Sequence, residues 1–187
     1  MFPVTLDLSG RAVLVVGGGP VGRRKAAAVV AAGGVVTGVD PQEMATGAVG
    51  TWVRAEYRPE HLDGVWLAFA CATPEVNARV AADAADRRVW ACDAGDPGRG
   101  GFTLPAVGRV GRLAVAVSTG GASPGLARTL CDELTARLTP ADAAWAELLA
   151  ELRPRLTAEQ RRALADPVWR ARAAVEGIEA VRAAVLG

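Results

Sequence analysis

The sequence predicts an α/β protein in which a parallel sheet is followed by a small central region and a helical C-terminal part. Apolar strand-like runs alternate with alanine-rich helical runs through the first 110 residues, which is typical of βαβ units with right-handed crossovers. Two strand-like pieces with several glycines come next. From residue 123 onwards nearly the whole chain has helical character, so the three regions are expected to differ in architecture.

The first strand is expected at residues 12–16, a continuous apolar run of the kind found in strands buried on both faces of a sheet. A helix follows in the stretch RRKAAAVVAAG and ends at Gly33 and Gly34, which suit a C-terminal cap. The rest of this region contains predicted strands at 35–39, 51–57, 65–72 and 89–92, with a helix from Pro74 to about Arg87.

A glycine-rich loop at 95–101 leads into two predicted strands around a turn at Gly108 to Gly111. Prolines then separate four predicted helices, at 123–138, about 141–152, 158–165 and 168–185. We therefore divide the chain into a dinucleotide-binding region at 1–110, a dimerisation and substrate-loop region at 111–140, and a helical region at 141–187.

One predicted helix carries an apolar face, because four large side chains recur at helical spacing. These are Trp145, Leu148, Leu149 and Leu152. Such a face packs either in the core of a helical bundle or against a second subunit.

Composition excludes several classes of protein. The chain has 21 basic and 20 acidic residues, a net charge of +1, so we expect neither a nucleic-acid nor a membrane partner. No signal peptide is recognised at the N-terminus, and a cytoplasmic location is expected. Cys71, Cys92 and Cys131 show no metal-ligand spacing, and His61 is the single histidine, which disfavours a disulfide framework, a metal site or a histidine-based triad.

The first strand ends in Gly17-x-Gly19-x-x-Gly22, directly before the first helix. In a Rossmann-type domain these glycines allow a tight turn, the approach of a pyrophosphate, and close packing of helix on strand. Asp40 ends the second strand, 18 residues after Gly22, where a carboxylate binds the adenosine ribose and repels a 2′-phosphate. The motif therefore predicts a bound dinucleotide, with NAD favoured over NADP.

Three cations, Arg23, Arg24 and Lys25, follow the glycines at the start of the helix. Positive charge in a first helical turn opposes the helix dipole by some tenths of a kcal/mol per residue. One explanation is that these side chains lie on a solvent-exposed helix face where this cost is tolerated, and for Arg23 this explanation suffices. Alternatively, Arg24 and Lys25 line the cofactor crevice and bind an anionic substrate with several carboxylates or phosphates.

Four segments together resemble the precorrin-2 dehydrogenase / sirohydrochlorin ferrochelatase family, the N-terminal module of siroheme synthase. They are DLSGRAVLVVGGGPVGRRKAAAVVAAGGVVT, PEVNARVA, FTLPA and LAVAVSTGGASPGLAR. The resemblance implies a homodimer that oxidises precorrin-2, an octacarboxylate tetrapyrrole, with NAD⁺ as acceptor. It leaves open whether Fe²⁺ is also a substrate, as in a ferrochelatase.

The resemblance also implies which residues contact the cofactor and the substrate. Together with the glycine motif, it assigns cofactor contacts to Gly17, Gly19, Pro20, Val21, Gly22, Asp40, Pro41, Gln42, Ala70, Cys71 and Ala72. Substrate carboxylates are assigned to Arg24 and Lys25 and to a small polar loop formed by Ser118, Thr119, Gly120, Gly121 and Ser123. For the loop, an ordinary Ser123 N-cap with Pro124 at the first helical position is an alternative that is compatible with binding.

The catalytic carboxylate is the main departure from the family. Members keep an aspartate two residues before a proline after the fifth strand, and here Gly95 occupies that position before Pro97. Asp93 and Asp96 flank it, and Asp96 is slightly preferred as the catalytic residue. If neither acts, the alternative is a non-catalytic dinucleotide- or tetrapyrrole-binding protein on the same fold. A small-acid dehydrogenase is disfavoured because His61 is the single histidine available as a base.

Overall fold

A computed structural model describes residues 2–42 and 49–186. The chain divides into two compact units, Met1–Leu104 and Pro105–Gly187. The first contains a parallel sheet with helices, and the second contains a strand hairpin and helices. The predicted α/β class with a helical C-terminal part is therefore confirmed. The division into three regions stays a prediction, and the strand at 106–110 pairs within the second unit.

The first unit is built on five parallel strands in the spatial order β3-β2-β1-β4-β5. The strands are β1 Ala12–Val16, β2 Val35–Asp40, β3 Thr51–Arg54, β4 Leu67–Ala70 and β5 Trp90–Asp93. Helices α1 (Pro20–Ala31) and α2 (Pro74–Asp86) connect strands, and a short 3-10 helix occupies Pro59–Leu62. The strands predicted at 51–57 and 65–72 are thus shorter than expected, and the fifth is shifted by one residue.

Strand β1 is central, and its alternating side chains build a core on both faces of the sheet. Val13 and Val15 pack in one cluster with Ala26 and Val29 of α1. Leu14 and Val16 belong to a second cluster, which contains Val80 and Ala84 of α2. These four of the five β1 side chains are at most 2% exposed, which explains why the strand is a continuous apolar run in the sequence.

The carboxyl ends of the parallel strands bring the loops after β1, β2, β4 and β5 to one edge of the sheet. Ligands of open α/β sheets bind at this edge. The residues that follow these four strands are therefore the ones that can form a cofactor site.

In the second unit, β6 (Ala106–Val110) and β7 (Leu113–Val117) form an antiparallel hairpin beside α3 (Pro124–Thr135). The turn predicted at Gly108 to Gly111 lies later, since Gly108 is inside β6 and pairs with Val115. A Cβ atom at Gly108 would lie 2.8 Å from Cβ of Thr135. Gly108 therefore serves the close packing of α3 on the strand and not the turn.

The tail is a cluster of helices: α4 (Pro140–Leu152), a 3-10 turn (Arg153–Arg155), α5 (Ala158–Ala163), α6 (Pro167–Glu176) and α7 (Ile178–Leu186). The single helix predicted at 168–185 is wrong, because Gly177 interrupts it with a φ of +85°. Within the described residues, no helix has the length and apolar character needed to cross a membrane.

The predicted apolar face of α4 is the core of this helical cluster. Trp145, Leu148 and Leu152 pack with Leu164 and Val181, all at most 7% exposed. The expectation that a second subunit buries these three side chains is wrong, because the chain buries them itself.

Candidate dinucleotide-binding site

Two of the motif glycines are required by backbone packing at the end of β1. A Cβ atom on Gly17 would lie 2.8 Å from the amide nitrogen of Ala72, and Gly17 has a φ of +102°. A Cβ atom on Gly22 would overlap the carbonyl oxygen of Gly17 and approach Val15 at 3.3 Å. The glycine turn is therefore wedged between α1 and the loop after β4.

The remaining motif glycine faces open space. Nothing lies within 4 Å of a Cβ atom built on Gly19. Gly19 is the N-cap of α1 without any side-chain cap, Pro20 is at the first helical position, and the first turn contains no acidic residue. Free backbone N–H groups at a helix N-terminus attract anions. These residues therefore fit the pyrophosphate of a dinucleotide.

Asp40 at the end of β2 lies beside the glycine turn. Its Oδ2 atom accepts the N–H of Gly18 at 2.6 Å, and its Oδ1 atom accepts the N–H of Gln42 at 2.7 Å. The side chain keeps unused acceptor capacity, because each carboxylate oxygen can accept more than one hydrogen bond. This is the position and the chemistry expected for binding ribose hydroxyls.

The cations that follow the glycines differ in environment. Arg24 is exposed, whereas Lys25 is partly buried, with Nζ 6.0 Å from the ring centre of Phe69 in β4. Burial raises the pKa of the nearby Cys71 thiol to about 11, and the charge of Lys25 opposes that rise. Lys25 is thus directed over the sheet towards the loop after β4.

Asp93, one of the two candidate catalytic residues, is 3% exposed, and both of its carboxylate oxygens accept hydrogen bonds. Its Oδ1 atom accepts from Nδ2 of Asn77 at 2.8 Å and from the N–H groups of Gly95 and Asp96 at 2.8 and 3.2 Å. Its Oδ2 atom lies 3.3 Å from the Arg99 guanidinium. The carboxylate therefore organises the loop after β5.

Asp96, the other candidate, has a half-exposed side chain. Its Oδ1 atom accepts the N–H of Gly98 at 3.0 Å, and its Oδ2 atom lies 3.3 Å from Arg99. Gly95 stands between the two aspartates, and a Cβ atom there would lie 3.5 Å from Asp93 Oδ1. Of the two carboxylates, Asp96 is the one that solvent and ligands can reach.

Asn77 is a residue that the sequence did not single out. It lies in α2, 3% exposed, and connects the loop after β4 to the loop after β5. Its sequence signal is weak, because it is one of three polar residues in the stretch PEVNARVA. Its importance depends on which loops meet in the folded chain.

The polar loop predicted to bind substrate lies in the second unit, between β7 and α3. Thr119 Oγ1 accepts the N–H of Ser123 and donates to its carbonyl oxygen, both at 3.0 Å. Ser123 Oγ accepts the N–H of Leu126 at 3.2 Å, which makes Ser123 the N-cap of α3. This agrees with the N-cap alternative given for the loop, which is compatible with binding. Gly120 and Gly121 have positive φ, and Ser118 Oγ accepts the Gly120 N–H at 3.2 Å.

The parallel sheet, the open glycine turn and the carboxylate after β2 define a dinucleotide-binding protein of the Rossmann type. A family model described as "Putative NAD(P)-binding" matches residues 4–106, and the chain belongs to this family. The nicotinamide dinucleotide predicted from the motif is thereby confirmed as the class of cofactor.

Siroheme synthases are among its relatives, which confirms the family resemblance seen in the sequence. Siroheme synthase 1 of Aeromonas salmonicida is 39% identical over 164 residues, covering 84% of this chain and 35% of that protein. Siroheme synthase of Tolumonas auensis is 36% identical over 157 residues, covering 81% of this chain and 34% of that protein. The chain thus spans about a third of the length of these curated relatives.

A solved structure supports the fold over the full length. SirC, a precorrin-2 dehydrogenase, matches with a TM-score of 0.76 at 23% identity and covers 99% of this chain and 98% of its own. The arrangement of a parallel sheet followed by a hairpin and a helical cluster is therefore shared with that protein.

Proposed function

We propose that this chain is an NAD-dependent dehydrogenase that oxidises precorrin-2 to sirohydrochlorin. The observation that carries the proposal is the Asp40 carboxylate held beside the open turn at Gly19, in a chain related to siroheme synthases. A bound NAD⁺ would accept a hydride from the tetrapyrrole, and the substrate would lose a proton in the same oxidation.

NAD is the preferred cofactor because of charge. A 2′-phosphate at the adenosine ribose would meet the carboxylate of Asp40, whereas the free ribose hydroxyls of NAD can donate to it. Pyrophosphate would bind at Gly19, Pro20 and Val21, and the walls of the turn are supplied by Gly17, Gly22 and the backbone at Cys71 and Ala72. Pro41, Gln42 and Ala70 complete the proposed set of cofactor residues.

Arg24 and Lys25 are the proposed partners of substrate carboxylates in the first unit. In the described part of the chain neither forms an ion pair within 4.0 Å, so their charges stay available to an anionic ligand. The polar loop at 118–123 is a separate candidate for a carboxylate, since it leads directly to the N-terminus of α3.

Asp96 is the proposed proton acceptor. Its side chain is half-exposed, whereas the Asp93 carboxylate is buried and occupied by four donors. A general base must reach the proton that it removes, which favours Asp96. Asp93 would then act indirectly, by fixing the loop that carries Asp96.

A homodimer is proposed on the basis of an apolar stripe on α3. Leu126, Leu130 and Leu134 recur every four residues and are 38–52% exposed, while Ala127 and Cys131 of the same helix are buried. A two-stranded hairpin is marginally stable by itself and depends on packing against further elements, so additional apolar burial would strengthen this part of the second unit. A second copy of the chain that buries this stripe would meet both needs.

The proposal is tested by mixing purified protein anaerobically with precorrin-2 and NAD⁺. Formation of sirohydrochlorin supports it, and tetrapyrrole binding without turnover instead establishes the non-catalytic binding protein, which the glycine at position 95 would explain. Adding Fe²⁺ to sirohydrochlorin then tests for ferrochelatase activity. The cytoplasmic location expected from the sequence stays a prediction.

A further inference from the structure

A single buried side chain, Asn77, joins two loops that the proposed function uses for different purposes. Its Oδ1 atom accepts the N–H of Ala72 at 2.9 Å, in the loop after β4. Its Nδ2 atom donates to Oδ1 of Asp93 at 2.8 Å, at the end of β5. The residue is 3% exposed; its bond to Asp93 is buried and its bond to Ala72 is partly buried.

On the cofactor side, Asn77 fixes the wall of the glycine turn. The Ala72 amide nitrogen, the atom whose hydrogen Asn77 accepts, is also an atom that a Cβ on Gly17 would meet at 2.8 Å. A shift of a few tenths of an ångström at Ala72 therefore displaces the backbone at Gly17, because the two segments are closely packed and leave no free space between them.

On the catalytic side, Asn77 helps to set the position of the aspartate loop. The Asp93 oxygen that it contacts also accepts the N–H groups of Gly95 and Asp96. Arg99 links the same loop to α2. Its guanidinium forms ion pairs with Asp93 and Asp96 and donates to the carbonyl oxygen of Pro74 at the start of α2.

We propose that Asn77 is a positioning residue that couples the dinucleotide-binding turn to the aspartate loop. An amide suits both contacts, because it accepts from a backbone N–H and donates to a carboxylate without carrying charge. An aspartate would repel Asp93, and an apolar side chain would leave buried polar groups unpaired. The inference rests on the proposed function for the role of the aspartate loop.

A double-mutant cycle tests the coupling through NAD⁺ affinity alone. Asn77→Ala, Asp93→Ala, which removes the oxygen that Asn77 contacts, and the double variant are titrated with NAD⁺, after circular dichroism has shown that each is folded. Each single change should weaken NAD⁺ binding about tenfold, within the range of coupling between sites. The double variant should be no weaker than about the worse single variant, because both changes interrupt the same connection.

Asp83→Ala is the matched control, because Asp83 lies on the same helix and accepts a hydrogen bond from the Tyr57 hydroxyl at 3.0 Å, which the alanine removes. This change should affect stability without changing NAD⁺ affinity. The proposal is overturned if the effects of the two single changes multiply, or if either leaves NAD⁺ affinity unchanged. Asn77→Asp is nearly isosteric, keeps an acceptor for Ala72 and replaces the donor to Asp93 with a carboxylate oxygen. It should also weaken NAD⁺ binding, so it decides the question even if an alanine variant fails to fold.

The cycle uses no tetrapyrrole, so it separates this inference from the proposed reaction. If the effects on NAD⁺ affinity are coupled but the protein does not oxidise precorrin-2, the role of Asn77 stands and the proposed substrate is wrong. A wild-type chain that does not bind NAD⁺ would overturn the coupling together with the cofactor assignment.

Discussion

The carboxylate of Asp40 accepts the backbone N–H of Gly18 at 2.6 Å, which ties the end of β2 to the glycine turn after β1. The two residues are 22 positions apart in the chain and meet because β1 and β2 are parallel neighbours. The same side chain therefore shapes the turn and supplies the negative charge that meets the adenosine ribose.

Asp40→Ala should lower NAD⁺ affinity and narrow the preference for NAD⁺ over NADP⁺. Lost hydrogen bonds to a charged acceptor cost about 1.5–3 kcal/mol, and the repulsion of a 2′-phosphate disappears with the charge. Equilibrium titration with both cofactors measures the effect. Asp7→Ala is the control, since Asp7 also accepts a backbone N–H, from Ser9, but precedes β1 at the opposite edge of the sheet. A wild-type preference for NADP⁺ would show that Asp40 is misassigned.

Gly19→Ala and Gly22→Ala should separate cofactor binding from folding. A methyl group at Gly19 enters open space, so stability should be retained while the pyrophosphate is displaced and NAD⁺ binding weakens. At Gly22 the same methyl group overlaps the Gly17 carbonyl, so stability should fall by about 1–3 kcal/mol. Chemical denaturation and NAD⁺ titration of both variants test this. Equal loss of stability in the two variants would contradict the open space at Gly19.

Asp96→Ala should lower the turnover of precorrin-2 by about 10²–10⁴-fold, the range for a lost general base, with little change in NAD⁺ affinity. Asp93→Ala should instead destabilise the protein by about 1–3 kcal/mol, because it removes a buried acceptor and leaves Nδ2 of Asn77 and the N–H groups of Gly95 and Asp96 unpaired. Initial rates and urea denaturation distinguish the two. Unchanged turnover in Asp96→Ala would leave proton removal to solvent or to the substrate.

Leu130→Glu should convert the proposed dimer to a monomer, because it introduces charge into the centre of the α3 stripe. Light scattering on wild-type protein should give about twice the chain mass of 19.2 kDa. Val175→Glu is the control, since Val175 on α6 is 86% exposed and lies outside the stripe. A wild-type mass of one chain at micromolar concentration would reject the dimer.

The glycine turn and Asp40 could be predicted because their signals are local. An apolar run, three glycines at fixed spacing and an acidic residue after the next strand each depend on a few neighbouring residues. Gly177 also carried a local signal, since a glycine with positive φ ends a helix, yet the helical pattern on both sides concealed it.

Asn77 and Gly108 could not be interpreted from the sequence because their roles are tertiary. Gly108 resembles a turn residue, but it is required by the approach of Thr135 from α3. Asn77 matters because the loops after β4 and β5 meet on either side of its amide. The same holds for Asp93, whose burial distinguishes it from Asp96 although both are loop aspartates in the sequence.

The most direct test of the proposed function is the initial rate of NADH formation from precorrin-2 and NAD⁺ under anaerobic conditions. A reaction without protein measures spontaneous oxidation, and a reaction with NADP⁺ measures cofactor choice. We expect NADH and sirohydrochlorin to appear in equal amounts, faster than without protein and faster with NAD⁺ than with NADP⁺. Sirohydrochlorin formation no faster than in the protein-free control, in protein that binds NAD⁺, would contradict the assignment as a dehydrogenase.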